Sequence, residues 1–498
     1  MKSRMSVGLL FVFVLSFNLG CEKKDSTPSA TDLPASPVPV TAEPQTPPAQ
    51  PVAASAAQTP VPPVPTGETV QIGVLPKEPA ALPSTPIAAP PPPVLAPSAP
   101  VAGAAGGLQV LARGPVHNAW ADPVVYNPEP SGVMSQAPPA AIEEIPPTQR
   151  PDGAEWIPGY WAYDDEGRDY LWVSGTWRVL PPGRQWIPGY WARGSQGYQS
   201  VPGYWTDAQA TEVQYLPEPP DSVEAVPPAP PSPDVIYVPG VWMFSGSTYV
   251  WRPGYYARAE NDFMWVPAHY VWAPRGYVFV DGYWDYTVPH RGILFAPVNV
   301  SPSVRVGFRF SPSMVIDISL FSDNLFVGPR GHQYYFGDYY AASYQSAGYL
   351  PAFSMYTTRV GWDPIFAHNR WEHRTDREWE HGRQRMYEDR RDHENARPSR
   401  TTVSIGGHSI TIPFESVIRE NVSRFKDIGK EDHKREMDRA NEVRRFSDLR
   451  QREESVQRPA GERMKLNRSP IADQRSRAPE RPKDPPPDKK VNPKPRKK

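Results

Sequence analysis

A single cysteine in 498 residues excludes a disulfide framework, so the fold must be held by packing alone. Long apolar runs are missing too. The longest, Val7 to Phe17, falls short of the roughly 20 residues that a membrane-spanning helix needs and has the length of the apolar region of a secretory signal. There is no G-x-S-x-G nucleophile elbow and no glycine-rich phosphate loop, which removes the hydrolases and nucleotide-binding enzymes that depend on them. His368, His373, His381 and His393 lie in a highly charged stretch without the spacing of a zinc helix and read as solvated side chains. Carboxylates such as Asp164, Asp165 and Asp338 are of a kind that any chain of this size offers, and a glycosidase pair is not singled out. No catalytic residue, metal or cofactor is expected.

The formal net charge of −1 hides an asymmetry, because residues 371–498 sum to +9 and residues 1–370 to −10. Such a split marks an interaction tail or a solubilising one. With 66 prolines and a mean hydropathy of −0.55, the chain is too polar and too proline-rich for one continuous core.

The one cysteine is placed to be an anchor. Cys21 follows a basic start, the apolar run and Asn18-Leu19-Gly20, and this arrangement resembles the lipobox of bacterial lipoproteins. The resemblance implies cleavage between Gly20 and Cys21, acylation of the thiol, and a mature protein exported and held by lipid in the bacterial cell envelope. After it come 22 prolines between residues 21 and 100, among Ala, Val, Ser and Thr. Proline fixes φ and removes donors, so this stretch reads as an extended stalk that holds a domain away from the membrane.

What the chain has in plenty is tryptophan, and 12 of its 16 fall in residues 151–290. They are periodic: Trp156-Ile157-Pro158-Gly159-Tyr160-Trp161, Trp172-Val173-Ser174-Gly175-Thr176-Trp177, Trp186-Ile187-Pro188-Gly189-Tyr190-Trp191 and Ser200-Val201-Pro202-Gly203-Tyr204-Trp205 form one block. Tyr237 to Trp242, Trp251 to Tyr256, Trp265 to Tyr270 and Phe279 to Trp284 form a second. A Pro-Gly pair recurring in five of the eight units forbids a helical array, while aromatic and β-branched neighbours favour strands. The short links demand antiparallel neighbours. The expected fold is mainly β, with two four-stranded antiparallel aromatic meanders and additional hairpins. A bulge or bend is expected at each Pro-Gly step, with a neighbouring ring over the glycine, for which Trp177 on Gly159 or Gly189 is the candidate. These units resemble bacterial exported proteins with W-x-x-G-x-W repeats, a family without an established function and without catalytic residues to carry over.

The organisation follows. Residues 1–20 read as signal peptide, 21–107 as lipidated cysteine and stalk, and 108–150 as an extended lead-in. The repeat module covers 151–290, with blocks 151–206 and 237–290 and a proline-rich linker 207–236. Further hairpins fill 291–360, with strands expected at Val304–Phe310, Met314–Phe321, Asn324–Val327 and Gln333–Phe336. Solvated charged helices fill 361–457 around a short hairpin at 402–412, and a basic disordered tail ends the chain at 458–498.

The rings serve first as the core of thin sheets. The functional alternative is a platform for peptidoglycan or surface polysaccharide, built from Trp161, Trp177, Trp191, Trp205, Trp242 and Trp284. Their exposure on one open face would favour it, and their burial would end it. Partners are thus a membrane through the lipid anchor, an envelope glycan, and an acidic partner or anionic polymer for the basic tail. Nucleic acid is not expected. The role reads as structural or adhesive, the alternatives being a hydrolase of envelope polysaccharide and a protein scaffold.

Overall fold

The computed structural model describes residues 107–473 apart from 225–226, 330–332, 403–408, 457–460, 462 and 466–467. Cys21, Gly20, the stalk before residue 107 and the tail beyond 473 lie outside the described residues. Among the described residues no helix is long and apolar enough to cross a membrane.

The chain is mainly β and antiparallel. Each pair of repeat units makes one long hairpin, bent at its Pro-Gly steps. In the first, Ala154–Ile157 pairs with Thr176–Val179 and Tyr160–Asp164 with Asp169–Val173, which sets Trp156 opposite Trp177 and Trp161 opposite Trp172. The arrangement follows from the motif itself. In an antiparallel pair of W-x-x-G-x-W segments, the first tryptophan of one faces the last of the other. The second hairpin pairs Arg184–Ile187 with Tyr204–Asp207 and Tyr190–Arg193 with Tyr198–Val201. The third pairs Val235–Val238 with Tyr255–Arg258 and Val241–Ser245 with Thr248–Arg252. The fourth pairs Phe263–Val266 with Tyr283–Tyr286 and His269–Ala273 with Gly276–Val280.

Within a block, then, the units pair off in twos rather than running on as a four-stranded meander. The central step, Pro-Gly in five of the eight units, splits each unit into two short strands, and where it holds proline there is no N–H with which to continue a ladder. Facing rings meet edge to face, with centroids 5.2 Å apart for Trp156 and Trp177 and for Trp161 and Trp172, and 5.1 Å for Trp265 and Trp284. Each such pair adds about 0.5–1.5 kcal/mol beyond its buried area.

Glycine at the bend is required by close approach. A Cβ on Gly203 would lie 2.7 Å from Trp186 Cη2 and 2.8 Å from the Ile187 carbonyl oxygen, and one on Gly189 would lie 2.6 Å from the Val201 carbonyl oxygen. The ring over Gly159 is Trp172, not Trp177, and Gly189 faces backbone. The ring that covers a glycine is the first tryptophan of the partner unit, because the bend turns that ring inward.

Bending frees backbone groups, and buried charges satisfy them. Glu144 accepts hydrogen bonds from the N–H groups of Gly159 (2.9 Å) and Gly175 (2.8 Å) and from Trp172 Nε1 (3.2 Å). Glu224 does the same in the third hairpin for Gly240 (2.7 Å) and the Tyr237 hydroxyl (2.5 Å). In the second hairpin the freed groups are carbonyls. Arg450 Nη1 donates to both Pro188 and Pro202 at 2.9 Å, and Glu454 neutralises Arg450 at 2.7 Å.

The proline-rich segments before the two blocks are part of the fold. Trp161 Nε1 donates to the Ala140 carbonyl after Pro138-Pro139, and Trp242 Nε1 donates to the Asp221 carbonyl after Pro219-Pro220, both at 3.0 Å. Tyr170 reaches the Gln136 carbonyl (2.8 Å) and Tyr249 that of Pro217 (2.6 Å) in the same way. A relay continues into the next hairpin of each block, where Trp191 Nε1 donates to the Trp161 carbonyl (2.9 Å) and the Tyr270 hydroxyl to that of Trp242 (2.8 Å).

The helix Lys430–Glu454 closes the first two hairpins. Its buried stripe is Glu436, Ala440, Val443, Phe446, Arg450 and Glu454, so its charges are not all solvated. Leu449 is exposed, and Met437 is half-buried. Glu436 accepts from the Trp156 N–H at 3.3 Å, and Ser447 donates to the Gly189 carbonyl at 2.6 Å. One core cluster accordingly combines Ala119 and Val124 of the lead-in, Trp186 and Trp205 of the repeats, Trp362, and Val443 and Phe446 of the helix. The other charged helices are Pro364–Glu372 and Trp379–Asp392.

Elsewhere the strands Leu325–Val327 and Tyr334–Phe336 form the expected hairpin. Val304–Phe310 is not a strand along its length: Pro302–Val304 is a 3-10 turn, and only Arg309–Phe310 pairs, in parallel with Glu143–Glu144. Met314–Ile316 is a strand, but Asp317 caps a helix over Ile318–Phe321 by accepting from the Ser319 N–H. Thr411–Pro413 pairs with Met314–Ile316, and the opposite arm of the expected 402–412 hairpin lies mostly outside the described residues.

Candidate ligand cleft

The six tryptophans proposed for a flat platform share no open face. Trp161, Trp177, Trp205 and Trp284 are buried, while Trp191 and Trp242 are half-buried. Cross-hairpin pairing turns most of these rings into core, which corrects the platform reading. Trp161 and Trp191 instead help to line a cleft of about 680 Å³ between the first, second and fourth hairpins, the lead-in and the long helix.

The accessible aromatic wall of that cleft is Tyr160, Tyr163, Trp191, Tyr198 and Trp272, all half-buried. Ser131 Oγ donates to the Ser200 carbonyl at 2.9 Å, and Met134 bridges Tyr198, which fastens the lead-in along one rim.

Polar groups of unequal commitment line the same space. His117 Nδ1 accepts from the Ala119 N–H (3.2 Å), so its Nε2–H donates to the Pro158 carbonyl (3.1 Å). Burial pushes its pKa down to about 4, leaving the ring neutral. His269 is also held neutral by burial, with a pKa of about 4, and donates Nδ1–H to the Pro267 carbonyl at 2.8 Å. Its Nε2 lone pair makes no hydrogen bond among the described residues. The Tyr160 hydroxyl accepts from the Asn118 N–H (3.3 Å) and from Gln333 Nε2 (2.7 Å), which leaves its own proton to donate. Asp122 is exposed and lines both this cleft and a smaller neighbouring one, and desolvation by the protein around it raises the carboxyl well above its ordinary range. No described residue gives Asp122 a hydrogen bond or an ion pair. Trp272 Nε1 and the Tyr198 hydroxyl are likewise without partners among the described residues.

Other residues considered from the sequence have structural duties. Asp164 caps a turn by accepting from the N–H groups of Glu166 (3.2 Å) and Gly167 (2.9 Å), and Asp338 is paired with Arg400 at 2.5 Å. His368 is buried rather than solvated and sits 3.5 Å from Glu372, while His373, His381 and His393 are exposed. Among the described residues no three His, Cys, Asp or Glu side chains converge as a metal site.

Asp122, His117 and His269 were not legible as site residues. His269 replaces nothing in the repeat pattern but occupies the position after Ala268, where the Pro-Gly pair is broken, and that break was the available signal.

No curated protein and no solved structure matches this chain. The family model described as the WXXGXW repeat matches residues 156–178, 186–206, 246–269 and 262–285, all within the four hairpins, and the chain is thus a carrier of the WXXGXW repeat.

Proposed function

We propose that this is a non-catalytic, lipid-anchored binding protein of the bacterial cell envelope, whose aromatic cleft holds carbohydrate. The observation that carries the binding reading is the convergence of half-exposed rings with uncommitted donors and acceptors in one cleft. Tyr160, Trp191, Tyr198 and Trp272 offer π faces to the C–H faces of a pyranose ring. The Trp272 indole, the Tyr198 and Tyr160 hydroxyls, the His269 lone pair and the Asp122 carboxyl offer hydrogen bonds to its hydroxyl groups. A volume near 680 Å³ lies within the range of small-ligand pockets. The anchor rests on Cys21 and the run before it, and the stalk supplies reach.

Binding is tested by titrating soluble peptidoglycan fragments and envelope polysaccharide into the protein and following tryptophan fluorescence. Saturable quenching is expected, and Trp272→Ala is expected to weaken it by about tenfold or more, equivalent to about 1.4 kcal/mol. No saturable binding by any glycan would remove the carbohydrate reading. Released reducing ends, lost in Asp122→Asn, would make the protein a hydrolase instead. The anchor is tested separately by metabolic labelling with a fatty-acid analogue, which is expected to mark the wild type and not Cys21→Ser. Equal labelling of the two would sink the anchor.

A further inference from the structure

We infer that the cleft selects a cationic amino sugar, a pyranose bearing an unsubstituted ammonium group. This rests on the carbohydrate reading and narrows it. A cation is held where aromatic faces surround it and an anion without a partner lies within the same space. Tyr160, Trp191, Tyr198 and Trp272 are the faces, and the Asp122 carboxyl, which confinement alone holds toward its protonated form, is the group that an arriving ammonium converts to its anion.

The remaining charges point the same way. Glu129 and Asp448, both exposed, add two carboxylates to the lining. Arg444 is the one Lys or Arg among the described lining residues, and its charge is attracted by Glu144 and Glu143. Its Nη1 donates to Asn441 Oδ1 (3.1 Å) and its Nη2 to the Ile142 carbonyl (3.5 Å). Both lining histidines are neutral through burial and accept or donate as dipoles, so neither offsets the carboxylates. An ammonium group carries three donors and no acceptor, and the uncommitted acceptors here are the Asp122 carboxyl and His269 Nε2. An N-acetyl group would bring a carbonyl to the same wall and give the Asp122 carboxyl no cation to pair with. A uronic acid would add like charge and be disfavoured.

The test compares two β-1,4-linked hexamers of equal length, one of glucosamine and one of N-acetylglucosamine, at a pH near 6, by fluorescence titration and calorimetry. The wild type is expected to bind the glucosamine hexamer about tenfold or more tightly, a difference of about 1.4 kcal/mol. Asp122→Asn, nearly isosteric, is expected to abolish that preference, bringing the affinity for the glucosamine hexamer down to that for the N-acetylglucosamine hexamer. Equal affinity of the wild type for both hexamers overturns the cationic selectivity and leaves the carbohydrate reading standing. Binding of neither overturns both. An unchanged preference in Asp122→Asn overturns the role given to that carboxyl. Hexalysine is the control for charge without sugar, and binding of it equal to that of the glucosamine hexamer overturns the amino-sugar class.

Discussion

Asp285→Ala is expected to lower the unfolding free energy by about 3–5 kcal/mol, the largest loss from any single side chain away from the aromatic pairs. Asp285, on the last strand of the fourth hairpin, is fixed between two guanidinium groups. Arg178 Nη2 lies 2.6 and 2.7 Å from its two carboxylate oxygens, and Arg291 Nη2 lies 2.8 Å from Oδ2. All three side chains are at most 4 % exposed, so removing the carboxylate strands two positive charges away from water. The arginines also hold the lead-in, since Arg178 Nε donates to the Ala119 carbonyl (3.0 Å) and Arg291 Nη1 to that of Trp120 (2.9 Å). Chemical denaturation of the variant checks the figure. Replacing all three charges together with Leu and Met is expected to recover much of the loss, because burying ion pairs is itself costly. A single variant as stable as the wild type would show that the triad contributes nothing.

Glu144→Ala is expected to be the second most damaging change, at about 3 kcal/mol or more, since it leaves three buried donors unpaired at about 1–3 kcal/mol each before any relaxation. The donors are the Gly159 and Gly175 N–H groups and the Trp172 indole. Glu144 is buried, and that burial raises its pKa against the pull of those same hydrogen bonds. Glu224→Ala in the third hairpin is expected to cost less, because that hairpin's outer strands are half-exposed and water can replace the lost acceptor. Thermal unfolding of the two variants side by side gives the comparison, and equal shifts would contradict the account of the bend.

Those glutamates show how far the sequence could be read. The eight aromatic units, their antiparallel sense and a bend at each Pro-Gly step follow from spacing and from the chemistry of proline and glycine, and all are present. The pairing in twos was hidden because a period of 14 residues counts units and not partners. Segments 138–144 and 219–224 read as lead-in and linker, since proline-rich stretches usually have no partner. Their likeness was nonetheless visible: Pro139 precedes Pro220 by 81 residues, the interval that also separates Gly159 from Gly240 and Trp161 from Trp242. A glutamate follows each Pro-Pro pair within five residues. Glu436, Arg450 and Glu454 escaped for another reason. In a helix this charged, ionic residues are taken as solvated, although these three share one face with Val443 and Phe446. The cleft itself was not legible, because Asp122, Trp272 and Arg444 come from parts of the chain that only folding brings together.

The long helix carries a consequence in time. The Trp156 N–H finds its acceptor on Glu436, 280 residues further on, and the Pro188 carbonyl finds its donor on Arg450 at a separation of 262. Local pairing can zip each hairpin early, but the bent waist of the second keeps its carbonyls bare, and the first its Trp156 N–H, until the last fifth of the chain arrives. Contacts this distant in sequence slow folding. A chain released from one end first therefore keeps these two hairpins open through most of its synthesis, and they close only when the helix Lys430–Glu454 comes down across them.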